Sequence, residues 1–175
     1  AARGATMYVS LEPCAHHGRT PPCTKSILEA GIGRVVIALK DPAKHVNGRG
    51  IRQLRSAGIE VEVGVEAEKA RQVHEHYLHH VQTGLPWVSL KAALSLDGQM
   101  ACASGDSRWI TSPESRRHAH SLRAKHHGIL IGLGTLLADN PRLDVRMSRG
   151  ADPIPLVLDT RLRVSRFDGE LHLLQ

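Results

Sequence analysis

Between residues 6 and 81 three short β-prone runs alternate with three helical stretches, and that rhythm constrains the fold more than any other feature. Thr6-Met7-Tyr8-Val9-Ser10-Leu11 reads as a strand. It stops at Glu12-Pro13, because proline removes a ladder donor. Residues 24–30 read as a helix closed by Gly31. Arg34–Leu39 reads as a buried strand broken by Asp41-Pro42. Gly48-Arg49-Gly50 opens a second helix over 51–57, stopped by Gly58. Residues 59–65 alternate apolar and charged side chains, as a half-buried strand does. Residues 66–81 read as one long helix. A β-α-β-α-β-α order predicts a layered α/β sheet.

Gln82-Thr83-Gly84-Leu85-Pro86 reads as a linker, so the expected domains are 1–82 and 86–175. In the second, residues 88–94 read as a strand and 95–99 as a turn. Ser112, with Pro113 at the first helical position, starts a helix carrying Arg116, Arg117 and Arg123. Residues 127–132 are a buried strand, 134–141 a short helix or loop, and 156–159 another strand. This half is also α/β. Gly132-Leu133-Gly134 is not a dinucleotide-binding fingerprint, because Leu137 takes the place of its third glycine.

Aromatic residues make up 3% of the chain, so its core must be aliphatic, and stacking platforms for single-stranded nucleic acid are not expected. The net charge of +6 favours anionic partners such as phosphorylated metabolites, nucleotides or nucleic acid. No block of like charges marks a nucleic-acid tail. Three cysteines, an odd number, argue against a disulfide framework. No apolar run is long enough to span a membrane. A reducing, cytoplasmic setting is expected.

The chemistry-bearing segment is Leu11-Glu12-Pro13-Cys14-Ala15-His16-His17-Gly18-Arg19-Thr20-Pro21-Pro22-Cys23. Two thiolates can hold zinc, and a catalytic zinc takes three protein ligands and leaves one position open. The bland alternative is two free cysteines in a loop. Zinc deaminases carry His-x-Glu followed by Pro-Cys-x-x-Cys. Here Glu-Pro-Cys is intact, but eight residues separate the cysteines. None of the twelve histidines has Glu two positions later, so that half of such a site is not in the chain. His74-Glu75-His76-Tyr77-Leu78-His79-His80 is not H-E-x-x-H, since Leu78 holds the second His position. It reads as a solvated helix face.

The cysteine segment, with Asp41-Pro42 and Val46-Asn47-Gly48-Arg49-Gly50, resembles the deaminase domain of the bifunctional riboflavin-biosynthesis deaminase/reductases. Ala43 departs from that family's usual Asp-Pro-Asn. Lys91-Ala92-Ala93-Leu94-Ser95-Leu96-Asp97-Gly98 and Ala103 to Thr111 resemble its reductase domain. So do Arg123-Ala124 and the run from Thr135 to Arg146.

The resemblance implies the later part of a cytidine-deaminase-like α/β/α layer domain, then the earlier part of a dihydrofolate-reductase-like α/β domain. It implies zinc-dependent deamination of a diaminopyrimidinone ribosylamino phosphate, then NADPH-dependent reduction of the ribosyl group to ribityl. Cys14 and Cys23 become zinc ligands, and His16 and Arg19 hold the substrate. NADPH contacts fall at Ala93, Trp109, Thr135, Asp139 and Thr160. Further substrate contacts fall at Ser107, Arg123, Leu143 and Arg146. Thr160 stands where Ser is more usual and keeps the hydroxyl. Arginine suits phosphate through its planar donor fork.

The resemblance places the catalytic Glu and the third zinc ligand before residue 1. Both ends are therefore expected to be internal to a longer protein, and the 175 residues alone are expected to be inactive. The expected partner is a small phosphorylated pyrimidine, with no nucleic acid and no membrane; self-association is compatible with the sequence. Two rival readings are a zinc-dependent nucleic-acid deaminase and a zinc-stabilised nucleic-acid-binding module without catalysis. The reductase-like half argues against the first, and the shortage of a closed four-ligand set against the second.

Overall fold

The computed structural model describes residues 2–166 and 169–174. The chain forms two compact units, Ala1–Ser89 and Leu90–Gln175.

In the first unit β1 (Thr6–Leu11), β2 (Arg34–Leu39) and β3 (Glu60–Val63) make a parallel sheet in the order β1-β2-β3. Tyr8 lies opposite Val36, and Val36 opposite Glu62. Parallel neighbours need a crossover, and α1 (Cys23–Glu29) and α2 (Arg49–Ser56) supply them. The central strand carries Val35, Val36, Ile37 and Leu39, all buried. That continuous apolar run is the mark of a strand covered on both faces. Val35 and Ile37 pack with Ile27 of α1, Ile51 and Leu54 of α2, and Ile59. The two helix stops are glycines in the left-handed region, Gly31 at φ 67° and Gly58 at φ 83°.

The long helix expected over 66–81 is two helices, α3 (Ala67–Val73) and α4 (Glu75–Thr83), with His74 between them. His74 Nε2 lies 2.8 Å from Ser10 Oγ at the end of β1. The Tyr77 hydroxyl donates to the Asp41 carboxylate at 2.9 Å. The two tethers set the break. The histidine cluster is therefore not a purely solvated face, and His76 and His79 also lie against the Trp87 ring.

In the second unit α5 (Pro113–Arg123) begins as expected, with the Ser112 hydroxyl accepting from Ser115 N–H. β4 (Gly128–Gly132) and β5 (Ile154–Leu158) pair in parallel, and α6 (Leu133–Asp139) leaves the end of β4. The core is small: Leu133, Leu136 and Leu171, with Ile131, Val157, Val164 and Leu173 packed on it. On the other face Leu130, Ile154, Leu156 and Leu158 remain exposed.

Residues 88–94 are not a strand. Among the described residues they pair with neither sheet, and Leu90 is 96% exposed. β-propensity expresses fit to a half-buried pleated surface, and no such surface meets this segment. His172–Leu174 forms a short 3-10 helix.

Candidate functional site

In the first unit the loops after β1 and β2 meet at one carboxylate. Glu12 is 4% exposed. Its Oε2 accepts from Gly48 N–H at 2.8 Å and Asp41 N–H at 3.2 Å. Its Oε1 accepts from Gly50 N–H at 3.0 Å and Ile51 N–H at 3.3 Å. Two of those donors sit in the first turn of α2, whose unpaired N–H groups favour an anion. The approach is close: a Cβ on Gly50 would stand 1.8 Å from the Pro13 carbonyl oxygen. Only glycine fits there.

Two residues after Glu12, Cys14 turns toward the start of α1. Cys23 N–H donates to Cys14 Sγ at 3.4 Å. Buried Thr24 fastens the same spot. Its N–H donates to the Cys14 carbonyl at 3.2 Å, and its hydroxyl donates to Gln53 Oε1 at 2.8 Å. The hydrogen bond with the Cys14 thiol raises the Cys23 pKa, and desolvation and Cys14's charge add to the rise. Two thiolates so placed repel each other, which is the arrangement a divalent cation relieves. Cys14 and Cys23 thus fit two corners of a zinc shell. Among the described residues no group of three or more His, Cys, Asp or Glu side chains is gathered for a metal. Both thiols line a cavity of about 770 Å³ with Val9, Leu11, Ile27 and Ile32.

His16 stacks edge-on against His45, ring centres 4.6 Å apart, and its buried Nδ1 has no protein partner. Arg19 is exposed on the same loop. Asp41 is buried; its carboxylate takes Ala43 N–H at 2.8 Å and the Tyr77 hydroxyl. Burial, with that hydrogen bond, pushes the Tyr77 pKa up to about 12.

In the second unit the residues expected to hold cofactor fall on α6, after β5 and in the irregular segment before α5. Thr135 and Asp139 lie one turn apart on α6, and Thr160 follows β5. All three follow the carboxyl ends of parallel strands along the chain, the side of α/β sheets on which ligands bind. Arg108 reaches Asp139 at 3.6 Å. Its neighbour Trp109 is exposed, with the Arg116 guanidinium 4.2 Å from the ring centre. Ala93 is half-buried in the irregular segment, and Ser107 is exposed.

Arg123 and Arg146 converge on Asp144: Arg123 donates to its carbonyl and Arg146 to its carboxylate. Val145 N–H donates to Asp152 at 2.7 Å, which pins the same loop. Leu143 is buried at φ 60°, so its backbone is what it can offer a ligand. Beside them His120 is 6% exposed, with Nδ1 unpartnered. Desolvation holds its pKa below the ordinary value, helped by Arg123 and Arg146 and opposed by Asp144.

Sequence reasoning missed Glu12 as a fastener, the Tyr77–Asp41 bond, the Thr24–Gln53 bond, and Asp144 and His120. For Glu12 a signal existed. A carboxylate between an apolar strand and a proline must find donors when buried, and Gly48-Arg49-Gly50 offers bare backbone.

Two family models match the chain. The one described as the cytidine and deoxycytidylate deaminase zinc-binding region covers residues 1–39. The RibD C-terminal domain covers residues 86–170. The riboflavin biosynthesis protein RibD of Bacillus amyloliquefaciens is 49% identical over 93% of this chain and 44% of its own length. That of Escherichia coli is 45% identical over 94% of this chain and 48% of its own length. A solved Thermotoga maritima structure, a diaminohydroxyphosphoribosylaminopyrimidine deaminase/5-amino-6-(5-phosphoribosylamino)uracil reductase, superposes with a TM-score of 0.91. It is 41% identical over 99% of this chain and 48% of that one. Acinetobacter baumannii RibD superposes with a TM-score of 0.85 at 43% identity, over 93% of this chain and 47% of that one. The chain spans about half the length of the relatives it matches.

Proposed function

The chain belongs to the RibD family, and from that premise we propose that it serves riboflavin biosynthesis through two successive reactions. The first removes an amino group hydrolytically from a diaminopyrimidinone ribosylamino phosphate. The second reduces the ribosyl group to ribityl. One observation carries the reading: a cysteine pair beyond β1 and, in the same chain, a second parallel sheet with Thr135, Asp139 and Thr160 past its strand ends. The deaminase part is taken as 1–82 and the reductase part as 86–175.

In the deaminase part Cys14 and Cys23 would hold zinc, whose contribution when bound is to activate water for attack on the amino-bearing carbon. His16, with Nδ1 free of protein partners, would orient the substrate. Exposed Arg19 would meet its phosphate. Glu12 and Asp41 are the buried carboxylates of this unit among the described residues, and neither is free to carry the proton. Both oxygens of Glu12 already accept two N–H groups each. Those of Asp41 accept from Ala43 and Tyr77. The residues of this unit therefore bind and orient.

In the reductase part Trp109, Thr135, Asp139, Thr160 and Ala93 would seat NADPH, which supplies the hydride. Arg123 and Arg146 would take the substrate phosphate, with Ser107 and Leu143 beside them. Asp144 holds both arginines from behind, so their donor forks are set before the anion arrives. The substrate is a small phosphorylated pyrimidine rather than nucleic acid. The setting is cytoplasmic, where the three free thiols stay reduced.

The test is genetic and chemical. Changing the chromosomal codons for Cys14 and Cys23 to serine should make growth depend on added riboflavin and accumulate the undeaminated pyrimidine. Changing Thr135 and Asp139 to alanine should instead accumulate the deaminated, unreduced compound. Unsupplemented growth of both strains, with neither compound accumulating, overturns the reading.

A further inference from the structure

We propose that Glu12 is a positioning residue for the metal: it holds the Cys14 loop where both thiols can take one cation. This rests on reading Cys14 and Cys23 as zinc ligands.

The two thiols come from segments with no covalent reason to stay together. Cys23 is the first residue of a helix, whereas Cys14 lies in a loop after an edge strand. Cys14 is clamped from both sides. After it, its carbonyl accepts from Thr24 N–H, which fixes it to the same helix as Cys23. Before it, buried Pro13 presses its carbonyl against Gly50. Glu12 then ties the loop to the β2 loop and the start of α2 through four N–H groups.

The side chain at position 12 must accept on both oxygens. A glutamine there would turn its NH₂ group toward two N–H donors, a repulsive pairing. Among the described residues the buried carboxylate is answered by backbone N–H groups and by no Lys or Arg ion pair, so its charge is met without a fixed cation that would compete with a metal. Ligands held before the ion arrives bind it more tightly than ligands the ion must order.

The experiment uses the full chain with Cys102→Ser, leaving Cys14 and Cys23 as the only thiols. Thiolate-to-metal absorption on adding Cd²⁺ reports how many sulfurs bind, and competition with a chromophoric chelator gives Zn²⁺ affinity. Glu12→Gln should bind Zn²⁺ at least about tenfold more weakly and give the absorption of one thiolate, with unchanged far-ultraviolet circular dichroism. If that variant does not fold, hydrogen exchange of the unmutated site decides. Zn²⁺ should slow exchange at the Asp41, Gly48, Gly50 and Ile51 amides, since coupling between two sites is reciprocal. No thiolate absorption before mutation defeats the zinc reading and this proposal together. Thiolate absorption with equal affinity in Glu12→Gln, or with no change in exchange at those amides, defeats this proposal alone.

Discussion

The two units fasten their working loops with charges of opposite sign. In the first, a buried carboxylate gathers backbone N–H groups: Glu12 holds the Cys14 loop against the start of α2. In the second, a guanidinium gathers a backbone carbonyl: Arg123 holds the loop of Leu143 to Arg146 through Asp144. Each device matches its expected ligand. The first spends its negative charge inward and leaves two thiols to face a cation. The second sets Arg123 and Arg146 together, with the carboxylates of Asp144 and Asp152 close by. A buried polar group is costly unless satisfied, so each fastener is also where its unit is most vulnerable.

Gly50→Ala is the strongest way to break the first side. The new Cβ would overlap the Pro13 carbonyl at 1.8 Å, and no flexible side chain is there to yield. A loss of about 4 kcal/mol or more is expected, in the tail of single-substitution effects. Hydrogen exchange should show the β2 amides deprotected while the β4 amides keep their native rates. Protected β2 amides would mean that Glu12 and Gly50 do not organise that unit.

Leu136→Ala tests whether the second unit is the weaker partner. Among the described residues Leu136 is fully buried in a cluster with two other buried residues, whereas the matching Leu54 sits in a cluster of six. Each truncation should cost about 2–5 kcal/mol. With less core to spare, the second unit should lose its folded baseline in mild urea after Leu136→Ala, and the first unit should keep its own after Leu54→Ala.

The smallest effects separate the units by pH. Tyr77 in the first unit has its pKa raised to about 12 from an ordinary 10.0, so its neutral form is favoured by folding. Its stabilisation is whole below pH 10 and is lost as pH rises from there through 12. His120 in the second unit, facing Arg123, Arg146 and Asp144, has its pKa lowered from 6.5. Its contribution is present above pH 6.5 and is lost as pH falls below that value. Exchange-resolved stability should therefore slope downward toward alkali in the first unit and toward acid in the second. Tyr77→Phe and His120→Gln should each flatten only its own slope.

Much of this was legible along the chain. Gly31 and Gly58 marked the ends of α1 and α2, and Ser112-Pro113 marked the start of α5, because caps and stops are chemistry within one turn of backbone. The central strand declared itself through Val35, Val36, Ile37 and Leu39. The cysteine pair was legible because strand, proline and helix start all lie within the nineteen residues from Thr6 to Thr24. Local pattern failed where a neighbour decides the state. Residues 88–94 have strand-like composition but no strand beside them among the described residues. The periodicity of 66–81 had no way to register that His74 would meet Ser10 and Tyr77 would meet Asp41.

By itself the sequence determined the alternation of α and β elements in the first unit, the placing of the cysteine segment between a strand and a helix, and the family likeness of both halves. Those features rest on residues near one another in the chain. Only the tertiary structure decided what holds the cysteine loop in place. The donors to Glu12 lie 29, 36, 38 and 39 residues further on, and no rule of spacing selects them. A carboxylate taken out of water must be met by whatever N–H groups the packed sheet and helix bring to it. That meeting turns Glu12 from the end of a strand into the anchor of the candidate metal site.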